Sequence, residues 1–179
     1  EDHVHKVNSL VRDLQVDAEI IIEPSPKNTG PASLTAVLWL SQTLDKFLFV
    51  LLPCDHFIEP ENAFFEAVNI GLDRAQAGSL ITLGVEPTRP ETGYGYVETT
   101  GDRNSDYLKA TSFKEKPTEK QAIKLISKGN YFWNSGVYIC DAQTFLNKFE
   151  DHQKSIFDAV NASIISCEVE EQMIKPHKG

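Results

Sequence analysis

The sequence predicts an α/β fold, a mostly parallel mixed sheet with helices on both faces and a β-rich insertion. Three observations predict it. Strand-like and helix-like segments alternate through the first half of the chain, and paired strands separated by a polar turn come later. The run FLFVLLP, residues 47–53, is apolar without alternation, as expected of a central strand covered on both faces. At 179 residues the chain is long enough for one domain with a real core and hardly for two.

Taken in order, Val4, Val7, Leu10, Val11 and Leu14 recur at helical spacing, which predicts a short amphipathic helix. AEIIIEP (18–24) is a compact apolar run stopped by Pro24 and reads as a strand. PASLTAVLWLSQT begins with Pro31 at a favoured first-turn position of a helix. After the central strand, Phe64, Phe65, Val68, Leu72 and Ala75 form one helical stripe between Pro60 and Ala77, with Gly78 as its C-cap. SLITLGV (79–85) is the next strand. YGYVETT and YLKATSFKEK are two more, separated by the turn GDRNSD. TEKQ, from Thr118, is a capping-box pattern before a helix that stops at Gly129. GVYICD (136–141) is a strand, and one or two helices follow to about residue 160.

Composition narrows the function classes. The net charge is −9, from 17 basic and 26 acidic residues, which argues against nucleic acid as a partner because a phosphate backbone needs a basic face. Phosphorylated small molecules stay open, since a few local cations and backbone N–H groups hold them. Cys54, Cys140 and Cys167 show no paired spacing and fit a reducing, cytoplasmic setting better than a disulfide framework. No apolar run approaches a membrane span, and EDHVHKVNSL has neither the composition of a signal peptide nor an initiating Met.

Four stretches carry residues suited to chemistry. In LLPCDH, Asp55 follows a central strand, on the edge where α/β sheets bind ligands. A carboxylate there suits Mg2+, which takes one or two carboxylates with waters and substrate phosphates, and His56 would orient or pack beside it. The plainer reading is that Asp55 caps the following turn. In RPETGYGYVE, Gly93 and Gly95 allow close backbone approach or positive φ, and Tyr94 and Tyr96 either flank a sugar face or start a strand. In FKEKP, Glu115 suits sugar hydroxyls and Lys116 suits a phosphate. Adjacent strand residues face opposite ways, so these two need not share a partner, and a solvated charge pair is the plainer alternative. In YFWNSGVY, Asn134 stands at a strand start with an amide able to make bidentate hydrogen bonds, while Trp133 reads as core.

In sequence order, EPSPKNTGPA, LLPCDH, PTRPETGYGYVE, FKEKP and WNSGVY resemble the sugar-nucleotide pyrophosphorylases, and among them the bacterial mannose-1-phosphate guanylyltransferases. ETGYGY and WNSG are specific to that branch, and EKP is shared more widely. The resemblance runs from about the first helix to about residue 150. It implies a Rossmann-like nucleotidyltransferase fold, with residues 1–165 as the nucleotidyltransferase domain and 166–179 as an unassigned tail. It also implies formation of GDP-mannose and pyrophosphate from GTP and mannose 1-phosphate. Asp55 would then be a Mg2+ ligand near the α-phosphate. Asn28, Thr29 and Pro31 would lie by the guanosine. Tyr94, Gly95, Glu115 and Asn134 would hold the mannose and Lys116 its phosphate.

Two departures follow from the same comparison. The family's opening glycine-rich loop, roughly GGxGxRLxPLS, is missing, so the chain reads as starting after the first strands of the nucleotide-binding half. The second metal-ligand Asp, in a WxDxGxW string, is missing too, and the isolated chain is expected to be inactive. MIKPHKG resembles the lead-in to an attached cupin domain. A homo-oligomer is compatible with all of this. The alternatives are a pyrophosphorylase for another hexose 1-phosphate and nucleotide pair, or a non-catalytic regulatory module of the same fold.

Overall fold

The computed structural model describes residues 3–170 and 173–177. Its elements run α1 (Val4–Asp13), β1 (Ile20–Ile21), α2 (Thr29–Leu40), β2 (Leu48–Leu51), α3 (Glu61–Gln76), β3 (Ile81–Val85), β4 (Tyr96–Thr100) and β5 (Lys109–Lys114). They continue with α4 (Glu119–Ser127), β6 (Tyr131–Asp141), α5 (Ala142–His152), α6 (Lys154–Ile165), β7 (Glu168–Glu170) and β8 (Met173–Lys175).

Local chemistry accounts for the ends of these elements. Pro60, extended at φ −77°, precedes α3, whose first turn carries Glu61 and whose last carries Arg74, both favourable to the helix dipole. Gly78 follows that helix at φ +83°, the left-handed conformation a C-terminal glycine adopts without a Cβ penalty. Ahead of α4, Gln121 Oε1 accepts the Thr118 N–H at 3.0 Å, as the capping box predicts. The stripe expected in α1 forms, but no residue of that helix is buried, and Leu10 and Leu14 are exposed.

The chain divides into two compact units, Leu48–Asp141 on one side and Glu1–Phe47 with Ala142–Gly179 on the other. In the latter, α2 packs on α5 and α6, burying Leu34, Val37, Ala142 and Ile164. The segment left unassigned by sequence folds, over its described residues, into β7 and β8. β8 lies between β1, its parallel partner, and β7, its antiparallel one, with Ile174 buried.

The unit Leu48–Asp141 is built around β6. Ile139 pairs with Val50 of β2 on one edge and with Ile81 of β3 on the other, both antiparallel. Farther toward its start, β6 pairs with β4, which pairs with β5. The α/β class stands, and the sheet neighbours need correction. β2 and β3 are joined through α3 and run in one direction, but β6 is inserted between them in the opposite one. Every recorded pairing of this five-stranded sheet is therefore antiparallel. α3 covers β6 closely at Gly71, where a Cβ would sit 2.4 Å from Ile139 Cδ1. Ile139 is fully buried, which contributes roughly 1.5–3 kcal/mol. A second cluster joins Tyr96, Ala122, Tyr131 and Trp133, with Leu125 and Ile126 of α4 packed against it. No helix among the described residues is long and apolar enough to cross a membrane.

Candidate functional site

Strand direction brings the candidate residues of Leu48–Asp141 to the middle of β6, where β2 and β3 stop and β4 begins. The last residue of β2, Leu51, pairs with Tyr138, and the last of β3, Val85, pairs with Trp133. At that junction β4 begins, with Tyr96 opposite Trp133 and Lys114, the final residue of β5. Tyr94 and Gly95 thus precede β4 where Glu115 and Lys116 follow β5, and Asn134 lies in the adjoining part of β6.

Gly95 is the pivot of this cluster. It does not use positive φ, and neither does Gly93. Its requirement is space: a Cβ would stand 2.5 Å from the Phe113 ring and 2.9 Å from Glu115 Oε2. The Gly95 carbonyl accepts the Asn134 N–H at 2.8 Å, and the Tyr94 carbonyl accepts the Lys116 N–H at 3.2 Å. Lys116 itself sits at φ +42°. That turn ends the strand alternation, so the two side chains expected to face apart come together, with Lys116 Nζ 3.8 Å from Glu115 Oε1. Both are more than half exposed, so the pair is worth little to stability. The Tyr94 ring is half exposed and stands edge-on to buried Trp133, centroids 5.4 Å apart.

Gly95→Ala separates packing from site geometry. Phe113 is exposed and can swing away, so the expected stability loss is only about 1 kcal/mol. The carboxylate of Glu115, 2.9 Å from the same position, is displaced with it. A thermal melt of the variant against wild type checks the figure.

Asn134 lies within β6 and not at its start, because the strand begins at Tyr131. The pairing with β3 is irregular there, jumping from Thr82↔Tyr138 to Gly84↔Asn134, and Gly136 takes φ +75°. Within this bulge the Asn134 amide donates to Tyr138 Oη at 2.9 Å and accepts from Thr82 Oγ1 at 2.8 Å and the Gly136 N–H at 3.3 Å. Ser135 Oγ donates to the Leu83 carbonyl at 2.7 Å.

Asp55 is exposed in the loop after β2, beside exposed His56. Pro53 fixes that loop against β6, since a Cβ on Gly136 would lie 3.2 Å from its Cγ. Asp55 is a hard oxygen donor with no hydrogen-bond or ion-pair partner among the described residues, so its lone pairs are open to a cation. No group of three or more His, Cys, Asp and Glu side chains is placed to hold a metal among those residues. Such a site fits Mg2+ only as an ion that takes most of its ligands from water and substrate phosphates.

Asn28, Thr29 and Pro31 belong to the other unit, at the start of α2. Thr29 opens the helix and Pro31 is its third residue, within the first turn. Asn28 precedes it at φ +66°, ψ −177°, a conformation nearly confined to glycine.

Several contributors were not singled out from sequence. Glu91 shapes the loop before Gly95: its Oε1 accepts the N–H groups of Thr92 and Gly93, each at 3.0 Å, and its carbonyl accepts the Tyr96 hydroxyl at 2.8 Å. The Gly93 N–H first, and the Arg89 side chain next, hold the Glu91 carboxyl below the ordinary carboxylate range. Arg89 also lies over the Trp133 ring, 5.5 Å from its centroid. An acid two residues before a glycine is the signal in ETG, and it is weak because exposed acids are common. Thr82 left no signal, since its partner stands 52 residues away. Cys140, its thiol pushed up to about 11 chiefly by burial, is packing and not a nucleophile.

Comparison with known proteins places these features in context. The nucleotidyl transferase family matches residues 1–178. The alginate biosynthesis protein AlgA of Pseudomonas fluorescens is 36% identical over 162 residues, covering 88% of this chain and 33% of that protein. A putative mannose-1-phosphate guanylyltransferase of Vibrio cholerae is 35% identical over 157 residues, covering 88% of this chain and 34% of its own length. The chain spans about a third of the length of these relatives. Among solved structures, mannose-6-phosphate isomerase from Helicobacter pylori is similar with a TM-score of 0.85 and 25% identity, over 98% of this chain and 68% of that one. A Thermus thermophilus protein described as mannose-1-phosphate geranyltransferase follows at TM-score 0.77 and 28% identity, over 94% and 55%. Matched along almost its whole length and sharing the fold of such proteins, the chain belongs to the nucleotidyl transferase family.

Proposed function

We propose that this chain carries the sugar-phosphate side of a site that forms GDP-mannose and pyrophosphate from GTP and mannose 1-phosphate. The observation that carries the reading is the cluster at Gly95, where an acceptor-only carboxylate, a lysine and an aromatic ring surround a backbone position with no side chain. Glu115 accepts hydrogen bonds from sugar hydroxyls, Asn134 adds its amide, and Tyr94 offers an apolar face to the ring. Lys116 neutralises the sugar phosphate, whose oxygen attacks the α-phosphorus of GTP and expels pyrophosphate. No covalent nucleophile is needed, because alignment and charge neutralisation carry such transfers. Asp55 would hold Mg2+, which supplies Lewis-acid stabilisation of the phosphate charge when bound. Asn28, Thr29 and Pro31 are proposed to contact the guanosine, and the names borne by the similar proteins support the choice of sugar.

The test is turnover by the intact enzyme across a matrix of nucleoside triphosphates with mannose, glucose and N-acetylglucosamine 1-phosphates. The expected result is that GTP with mannose 1-phosphate gives the highest kcat/KM. A clear preference for another pair, or no turnover of any, would overturn the reading.

A further inference from the structure

Resting on that reading, we infer that Thr82 is a positioning residue that fixes the Asn134 amide with its oxygen turned into the sheet, so that Asn134 meets the sugar as a hydrogen-bond donor. Gly136 decides which end of the amide is which. Its N–H lies 3.3 Å from one terminal atom, and an N–H faces an oxygen, never an NH2 group. That atom is therefore Oδ1, and Nδ2 is the atom 2.9 Å from the Tyr138 hydroxyl.

The Thr82 hydroxyl stands 2.8 Å from Oδ1 and 3.0 Å from the Val137 carbonyl, and it donates its single proton across the shorter contact. Oδ1 then has both lone pairs engaged, by Thr82 and Gly136. Nδ2 has two hydrogens and uses one on Tyr138, which leaves one N–H as the open polar group of this side chain. Glu115, acceptor-only when ionised, supplies the opposite polarity on the far side of Gly95. The register shift between Thr82 and Gly84 and the positive φ of Gly136 bring the Thr82 hydroxyl and the Gly136 N–H to the same amide oxygen.

The experiment uses the intact enzyme with mannose 1-phosphate and its 2-, 3-, 4- and 6-deoxy analogues. Thr82→Val keeps the shape and removes the hydroxyl, and Thr82→Ser restores it. Thr82→Val is expected to raise KM for mannose 1-phosphate about fivefold, with KM for GTP and the melting temperature nearly unchanged. Thr82→Ser should behave as wild type. One deoxy analogue should be penalised with the wild-type enzyme and no longer penalised with Thr82→Val, a coupling that a merely structural role does not produce. If Thr82→Val melts much earlier, Thr82→Ala compared with Thr82→Ser takes its place: loss of the same coupling in Thr82→Ala supports the assignment, and an unchanged deoxy penalty overturns it. Equal KM values for Thr82→Val and wild type, or a deoxy penalty of the same size in both, would overturn it while leaving the functional reading intact. A wild-type enzyme that does not use mannose 1-phosphate overturns that reading and this inference together.

Discussion

Replacing Asp55 by alanine is expected to slow turnover by roughly a thousandfold or more, equivalent to about 4 kcal/mol of transition-state stabilisation. The carboxylate stands in the loop at the carboxyl end of β2, exposed and without a partner among the described residues. A side chain in that position contributes almost nothing to folding, so the melting temperature should stay within the effect of about 0.5 kcal/mol typical of surface substitutions. That combination, inactive but fully folded, distinguishes a metal ligand from a turn cap. Loss of a cap would cost about 1 kcal/mol of stability with activity largely kept. Steady-state kinetics at saturating magnesium and a thermal melt of the same preparation settle the matter. Activity within a few-fold of wild type would overturn the proposed metal role of Asp55.

Lys116→Ala is expected to lower kcat/KM for mannose 1-phosphate by about tenfold or more, because a hydrogen bond to a charged group is worth roughly 1.5–3 kcal/mol. The substitution keeps a Cβ, so the backbone at φ +42° is no more strained than before. The exposed contact with Glu115, at 3.8 Å, contributes little, so folding should be unaffected. What disappears is the cation next to the Glu115 carboxylate, the group proposed to accept from the sugar hydroxyls. Calorimetry should show the dissociation constant for GTP changing far less than that for mannose 1-phosphate. An equal or larger loss of GTP affinity would move Lys116 to the nucleotide side.

Much of the local structure was legible before any coordinates. The strand at FLFVLLP, the capping box at Thr118, the glycine stop at Gly78 and the stripe from Phe64 to Ala75 depend on neighbours within a few residues, and each element appears where the pattern puts it. However, β2, expected to be central and covered on both faces, lies at the edge of its sheet among the described residues with no residue fully buried, and Phe65 of the stripe is exposed. The strand expected at 136–141 begins five residues earlier. Its first half holds Asn134, whose turn-forming habit concealed the extended backbone of a bulged strand. The candidate residues were likewise readable one by one. Their mutual arrangement was not, and Gly95 shows why. A glycine followed by an aromatic suggests a turn, whereas the need here is to leave room for Phe113 and Glu115, residues 18 and 20 positions further along the chain.

The sequence by itself determined the class of each element and the order of the motifs that mark the family, because helical and strand periodicity and end-capping are short-range properties. The tertiary structure decided which strands are neighbours, putting β6 between β2 and β3, and that choice set everything else at the site. It placed Thr82 against Asn134 across 52 residues and brought the loop of Asp55 beside the bulge at Gly136. Through the turn at Lys116 it also joined two charges that strand alternation would have kept apart. The physical reason is that a strand's hydrogen-bonding groups are the same along its length. Side-chain pattern specifies which face is buried, and only the packed sheet selects the strand that pairs with each edge.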